Sequence, residues 1–395
     1  MSRVVLAYSG GLDTSVCIEL LREKYDYDEV ITVTTDVGQP REEIEEAEEK
    51  ARKLADEHHT VDAVEEFVTE YCWRAVKANA TYEGYPLSTA LARPLIAEKV
   101  LQVAREVDAD AIAHGCTGKG NDQFRFEAYL KAHGGDEFEI VAPVRDLNLT
   151  REEEIAYAKE KGIPVPVDVD SPYSIDENLW GRSIEGGVLE DPTRKPPEEV
   201  FEWTVSPEEA PEEPETVEVE FEDGVPISVD GEEDPVRIVE LLNEKAGEHG
   251  VGRIDIIEDR IIGLKSREVY EAPAAITLLE AHRALEALTL TRRELSLKSR
   301  MDDTWSELVY QGLWFDPLRE HVEAFIDSTQ SVVDGTVVVE LHRGRAVPVS
   351  RESPNSLYDE ELISYGEKKF DQRVAEGAVE LHGFQERLAI RRRKP

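Results

Sequence analysis

Through the first 165 residues, short apolar runs alternate with longer segments whose apolar residues recur at helical spacing. Residues 4–8 (VVLAY) have the length and composition of a buried strand. The pattern then changes: Val16, Ile18, Leu20 and Leu21 offer a face for burial and predict a helix over 14–23. Repeated, the alternation predicts strands at 4–8, 30–35, 60–64, 111–114 and 139–143. It predicts helices at 14–23, 41–58, 68–80, 89–107, 121–132 and 151–161. In the second of these, Ile44, Ala47, Ala51 and Leu54 form the apolar stripe and glutamates occupy the solvent face. The last is punctuated at both ends, by Thr150 and Glu153 as a capping box and by Gly162 with Pro164 as a stop. Such alternation predicts an α/β domain. Its sheet is mostly parallel with helices on both faces, and its ligands sit beyond the carboxyl ends of the strands.

Pro164, Pro166 and Pro172 end this regime. Residues 196–215 are rich in proline and glutamate and predict an exposed loop, with Phe201 and Trp203 docked on the body. Strands are then predicted at 216–221 and 227–229, a helix at 236–245, and a hairpin-like pair around 253–265. Helices over 274–290 and 303–326 and strands at 336–341 and 346–350 complete an α+β pattern. Three parts follow: an α/β domain (1–165), an α+β domain (166–365), and a C-terminal helix and tail (366–395). The basic run Arg391, Arg392, Arg393 and Lys394 closes the chain and suits a neighbouring acidic subunit better than nucleic acid. There is no internal repeat.

A length of 395 residues suits two or three domains, and 40% hydrophobic content can bury a core. No run reaches the ~18 apolar residues of a membrane span, and the first apolar run is already a strand, so neither anchor nor signal peptide is expected. Cys17, Cys72 and Cys116 are scattered, with no metal spacing and no disulfide framework, which points to a reducing cytosol. The net charge of −41 changes the picture most. The acids are spread along the whole chain, so the surface repels itself at low salt. At about 1 M salt the Debye length is roughly 3 Å and the repulsion is screened. A cytosolic protein of a salt-loving organism is expected, ahead of a mesophilic acidic protein. Nucleic acid is a poor partner for such a surface.

Two polar loops interrupt the regular pattern at strand ends. Ala7 to Ser15 reads AYSGGLDTS: Ala7 and Tyr8 end the strand, Ser9, Gly10, Gly11, Leu12 and Asp13 turn, and Thr14 and Ser15 start a helix. Glycines let the backbone approach a ligand, and the free N–H groups of a first helical turn point at an anion. The pattern is neither G-x-x-x-x-G-K-[ST] nor G-x-G-x-x-G. It resembles the pyrophosphate loop of enzymes that split ATP between the α- and β-phosphates. His114 to Arg125 reads HGCTGKGNDQFR, with Gly115, Gly118 and Gly120 bare and Thr117, Asn121 and Asp122 polar. Asn121 can cap the helix that follows, and Lys119 and Arg125 bring scarce positive charge.

Together with LARPLIA from Leu91, SPYSIDENLWGRSIEGGVLEDP from Ser171, HGVGRIDIIEDR from His249, GLKSREVYEAPA from Gly263 and SRESPNSLYDEEL from Ser350, these motifs resemble the argininosuccinate synthase family over nearly the whole chain. That family joins citrulline to aspartate with ATP, giving argininosuccinate, AMP and pyrophosphate. The resemblance implies nucleotide contacts at Ala7 to Ser15, Thr35 and Gly115. It implies citrulline contacts at Tyr85, Asn121, Arg125, Ser174, Ser183, Glu258 and Tyr270, and aspartate contacts at Thr117, Asn121 and Asp122. It also implies a homotetramer with the C-terminal helix crossing to a neighbour. One contact does not carry over: where the family has Gly-Thr-Ser before Leu-Ala-Arg-Pro, this chain has Ser88, Thr89 and Ala90, so a hydroxyl is missing at Ala90, and either Thr89 or Ser88 stands in for it or the contact is lost. Cys116 replaces an alanine of the family, a small-for-small change.

A ureido group is a poor electrophile until its oxygen carries AMP, so the chemistry calls for charge stabilisation and alignment of three reactants. The Ser9–Ser15 loop, with the Ser9 and Ser15 hydroxyls and a helix dipole worth roughly 0.3–1 kcal/mol, suits the β- and γ-phosphates. Mg²⁺ is the expected companion of ATP. Asp13 is a candidate for organising metal or loop. Arg125 suits a carboxylate and Asp122 an ammonium. For the proton of the aspartate amine, Asp122 and the AMP phosphate are both candidates. Rival readings are a tRNA sulfur-transfer or amidating enzyme with the same loop, and a non-catalytic nucleotide-binding module. The former usually carry paired cysteines, a glutaminase module or a basic RNA surface, none of which this chain has. The latter would not need the second polar loop.

Overall fold

A computed structural model describes residues 2–164, 173–364 and 369–393. The first half runs β1 (Arg3–Ala7), α1 (Leu12–Tyr25), β2 (Glu29–Asp36), α2 (Arg41–Leu54) and β3 (Glu57–Asp62). A bent helical segment follows, α3 (Val64–Glu66), a π-helical turn (Phe67–Cys72) and α4 (Trp73–Lys77), then a small hairpin of β4 (Thr81–Tyr82) and β5 (Tyr85–Pro86). Next come α5 (Thr89–Glu106), β6 (Ala111–His114), α6 (Asp122–Gly134), β7 (Glu139–Val141), the short α7 (Pro143–Asp146) and α8 (Arg151–Lys161). Five strands form a parallel sheet in the order β3-β2-β1-β6-β7. Side-chain parity splits its core. Val4, Leu6, Val30, Ala111 and Ala113 pack with Cys17, Ile18, Leu21, Ala47 and Ala51 of α1 and α2. Val5, Ala7, Ile31, Val33 and Ile112 belong to the core that holds Leu91, Leu95 and Val100 of α5. The chain winds outward from β1 to β3, then returns to the other side of β1 with β6. That reversal opens a crevice at the carboxyl ends of β1 and β6.

The second half contributes two antiparallel sheets. One, in the order β12-β13-β9-β8, joins β8 (Tyr173–Asn178), β9 (Gly181–Gly186), β12 (Arg253–Asp259) and β13 (Lys265–Glu271). The other, in the order β11-β10-β14-β15, joins β10 (Glu215–Glu222), β11 (Val225–Val229), β14 (Gly335–His342) and β15 (Arg345–Glu352). Between them run α9 (Pro235–Glu248), α10 (Pro273–Thr289), α11 (Arg292–Tyr310) and α12 (Pro317–Gln330). Leu179 N–H donates to Val37 O (3.0 Å), tying the β8–β9 turn to the end of β2. Residues up to Asn355 make one compact unit. From Ser356 a second unit carries α13 (Glu360–Ile363), α14 (Ala375–Leu381) and α15 (Phe384–Arg393), with Leu381, Phe384 and Ile390 exposed.

Several expectations need correction. The helix expected at 41–58 stops at Leu54, because residues 57–62 pair in parallel with β2 and Asp56 accepts from Val30 N–H (2.9 Å). The expected helix 68–80 begins earlier, contains the π-helical turn and ends at Lys77. The single helix expected at 303–326 is two, α11 and α12. The chain breaks at Gly312, whose φ is +77°, and restarts with Asp316 capping Leu318 N–H (2.7 Å) ahead of Pro317. Strands β8 and β9 were not anticipated at all. The expected C-terminal helix is present as α15, with the shorter α14 ahead of it. The boundaries expected at 165/166 and 365/366, and Pro166, Pro172 and Lys394, lie outside the described residues.

Candidate active site

The loop after β1 is held from both sides. Tyr8 N–H donates to Val33 O (2.8 Å), and Thr34 Oγ1 donates to Tyr8 O (2.9 Å). Gly10 has φ +77°, and a Cβ there would lie 2.7 Å from Ala47 Cβ, so only glycine lets α2 approach. Gly11 starts α1 without any side-chain cap, which leaves the first-turn N–H groups for a ligand. Ser9 is exposed, with its Oγ 3.2 Å from Thr14 Oγ1. Ser15 departs from expectation. Its side chain is buried and its Oγ lies 3.1 Å from the Tyr8 hydroxyl, so it braces the loop from beneath. Asp13 points at α8, where its carboxyl meets Glu154. Burial pushes both acids up, Glu154 to about 8, so at the foot of the loop each holds a proton more readily than a free carboxyl does. Leu12 is half-buried, and Ala7 ends β1 in the core. The Thr35 hydroxyl near the end of β2 is buried with no hydrogen-bond partner among the described residues, a polar atom available to a base or ribose.

The loop after β6 docks on the first one. A Cβ on Gly115 would stand 2.9 Å from Thr14 Cγ2 and 3.3 Å from Thr14 N. Thr117 and Lys119 are exposed at its tip. Asn121 does not cap α6 with its side chain. Its Oδ1 accepts from Ile261 N–H (3.0 Å) in the β12–β13 turn and its Nδ2 donates to the Tyr310 hydroxyl (3.0 Å) at the end of α11, so both ends of the amide are engaged away from the helix end. From here a charge ladder crosses the site. Arg125 Nη1 donates to Asp122 Oδ1 (3.0 Å), Arg93 Nε donates to Asp122 Oδ2 (2.8 Å), and Arg93 Nη2 donates to Asp176. Burial raises Asp122, but the Arg93 and Arg125 guanidiniums outweigh it and hold the carboxyl below its ordinary range. Asp176 shares only Arg93, and burial together with Asp122 leaves it raised.

Register sets the opposite wall. Tyr270 pairs with Ser183 and Ser183 with Asp176, while Glu258 pairs with Ser266, two residues before Glu268. Parity therefore puts Ser174, Asp176, Ser183, Glu258, Glu268 and Tyr270 on one face of the sheet. The Tyr270 hydroxyl lies 3.0 Å from Glu258 Oε2 and 2.7 Å from Glu268 Oε2. Tyr85 stacks on Tyr270 (4.1 Å between centroids) and Tyr82 on Tyr310 (3.6 Å). The Tyr310 hydroxyl lies 3.1 Å from Glu258 Oε1. Tyr85, Asn121, Glu258 and Tyr270 thus form one connected set, and Arg125 joins it through Tyr310 O (3.1 Å). Ser88 is buried beside Gly181, its hydroxyl without a hydrogen-bond partner among the described residues, and Ala90 is buried on α5.

Sequence reasoning missed Arg93, Asp176, Glu268, Tyr310 and Lys50, whose Nζ donates to Gly10 O (3.4 Å). Arg93 sat inside the LARPLIA motif, where an arginine in front of Pro94 in an apolar helix was the available signal. Asp176 and Glu268 lie two residues from Ser174 and Tyr270, but only the strand register shows that they share a face. Among the described residues, no group of three or more His, Cys, Asp or Glu could hold a metal ion. No helix among them is long and apolar enough to cross a membrane.

Known proteins match the chain from end to end. The signature described as the arginosuccinate synthase N-terminal HUP domain matches residues 3–164, and that of the arginosuccinate synthase C-terminal domain matches 173–389. An argininosuccinate synthase of Methanopyrus kandleri is 82% identical over 393 residues, covering 100% of both chains. Those of Methanocaldococcus jannaschii and Methanococcus maripaludis are 60% and 58% identical, the first covering 100% of both chains and the second 96% of each. The chain belongs to the argininosuccinate synthase family.

Proposed function

We propose that the crevice between the loops after β1 and β6 is the active site of this ligase, which condenses citrulline with aspartate at the expense of ATP in arginine biosynthesis. The observation that carries the assignment is the junction of the two loops at Gly115 and Thr14, continued through Asn121 to the Tyr310–Glu258–Tyr270 set. The first-turn N–H groups of Leu12 to Thr14 and the Ser9 hydroxyl receive the β- and γ-phosphates, while Thr35 and Gly115 border the nucleoside. ATP enters as its Mg²⁺ salt. Bound with ATP, that ion would neutralise part of the phosphate charge as pyrophosphate leaves. Citrulline lies against Tyr85, Ser174, Ser183, Glu258 and Tyr270, with Asn121 and Arg125 at its reacting end. Its ureido oxygen attacks the α-phosphate, and pyrophosphate leaves along the axis of α1. Aspartate occupies Thr117, Asn121 and Asp122, and its amine displaces AMP. Residues 1–165 thus hold ATP, 166–365 complete the site, and 366–395 serve assembly. A cytoplasmic homotetramer adapted to high salt fits the charge and the basic tail.

The test is product chemistry. Repeated turnover and AMP release should require both amino acids, with citrulline alone supporting at most one equivalent of pyrophosphate per site. Arg125→Ala should raise the citrulline KM by roughly 10- to 100-fold, the loss of a charge-assisted bond of about 1.5–3 kcal/mol. ADP as the spent nucleotide, or an unchanged citrulline KM, contradicts the assignment.

A further inference from the structure

Bond formation to aspartate needs a free amine, and at neutral pH that amine arrives as an ammonium. Asp122 lies nearest the proposed aspartate position, yet both its oxygens are engaged. Oδ1 accepts from Arg125 and Oδ2 from Arg93. A carboxylate between two guanidiniums is a good anchor for a cation and a poor base. Asp176 stands one step further along the ladder. Arg93 engages its Oδ2, and its Oδ1 has no hydrogen-bond partner among the described residues. Its side chain is 36% exposed, whereas Arg93 beside it is 17% exposed, so one edge of this carboxyl stays open. Strand β8 aims it. Asp176 is the next residue after Ser174 on that face and sits in register with Ser183, whose hydroxyl donates to Asp176 O (3.4 Å).

We propose that Asp176 is a catalytic residue of the second step: its free oxygen takes the proton from the α-ammonium of aspartate. This rests on the active-site reading above. The ammonium N–H bond breaks and its proton passes to Asp176 Oδ1. The freed nitrogen lone pair forms the C–N bond to the ureido carbon of adenylated citrulline. The C–O bond to phosphate breaks and AMP leaves with that electron pair, while the remaining N–H protons stay on the new guanidinium. Asp176 returns its proton to solvent after product release. Arg93 serves as a positioning residue, since it orients Asp176 and Asp122 together. Burial and the Asp122 charge raise Asp176 from the ordinary aspartate range, which favours a base over a permanent counter-ion.

The experiment separates the two half-reactions in single turnovers of the full chain. With ATP and citrulline alone, wild type and Asp176→Asn should release pyrophosphate at rates within about twofold of each other. With aspartate added, Asp176→Asn should form argininosuccinate at least roughly 100-fold more slowly at pH 7, the usual scale of general-base catalysis. Its rate should climb about tenfold per pH unit toward the pKa of the free amine, a limb that wild type lacks. Asp176→Glu should restore part of the rate and the wild-type profile. An unaltered pH profile, or equal loss in both half-reactions, overturns the role of Asp176. Failure of wild type to release pyrophosphate with citrulline alone overturns the underlying reading instead.

Discussion

At the residue scale, the site depends on where single protons lie. The Tyr270 hydroxyl has one proton and two carboxylate oxygens within reach, at 3.0 Å on Glu258 and 2.7 Å on Glu268. One of those acids must hold a proton for all three oxygens to be satisfied. Burial, then the charges of Glu258 and Glu185, push Glu268 up to about 8. A carboxyl raised in the folded state binds its proton more tightly there than in the unfolded chain. Its stabilising contribution is full below about pH 4.5 and is lost as pH rises through about 8. Glu268→Gln should therefore unfold like wild type at pH 5 and become the more stable of the two above pH 8, as thermal unfolding at the two pH values would register. A constant difference at both would refute the shared proton. Neither Glu268 nor Asp176 was legible in the sequence, because their relevance depends on strand register and β8 and β9 were not foreseen. The loop residues were legible because glycines, hydroxyls and acids gather there in one contiguous run.

At the element scale, the sequence announced elements whose signals are local and hid those whose limits are tertiary. The α8 capping box was read correctly, and both of its bonds are present, Thr150 with Glu153. The end of α2 was missed because strand pairing decides it, and the break after α11 because Gly312 must clear the Arg125 backbone, 2.7 Å from where its Cβ would stand. A polar knot joins α4, α10, α11 and α12 and was likewise invisible. Lys298 Nζ lies 2.8 Å from Glu286, 2.9 Å from both Asp302 oxygens and 2.7 Å from Lys77 O. Gln330 Nε2 donates to Glu286 (2.8 Å), and His282 lies 2.9 Å from Asn79 and 2.7 Å from Gln330. Lys298 is 1% exposed, so its removal strands two carboxyls in the core. Lys298→Met should cost about 3–5 kcal/mol of unfolding free energy in urea. The cost should be smaller at pH 5 than at pH 8, because burial already raises Asp302 to about 7 and a protonated Asp302 needs less compensation. A loss under about 1 kcal/mol would mean that the knot relaxes or takes in water.

At the scale of the whole molecule, charge sets the terms. Eighty-six acidic and 45 basic side chains leave −41 on one chain. Many acids have local partners, such as Arg41–Glu45 on α2 and Arg237–Glu240 on α9, but those pairs are exposed, and an exposed pair contributes about 0–1 kcal/mol. The unpaired excess repels itself over the Debye length, about 10 Å at 0.1 M salt and 3 Å at 1 M. Screening thus weakens the surface pairs a little and the repulsion a great deal, and the second effect is the larger because the imbalance is global. Urea unfolding midpoints should rise from 0.1 M to 1 M KCl, and NaCl should act like KCl because screening depends on ionic strength. The buried ladder of Arg125, Asp122 and Arg93 is shielded from bulk ions, so citrulline affinity should change far less than stability over the same range. A midpoint independent of salt would show that the acids are balanced locally, and the surface would then carry no adaptation to brine.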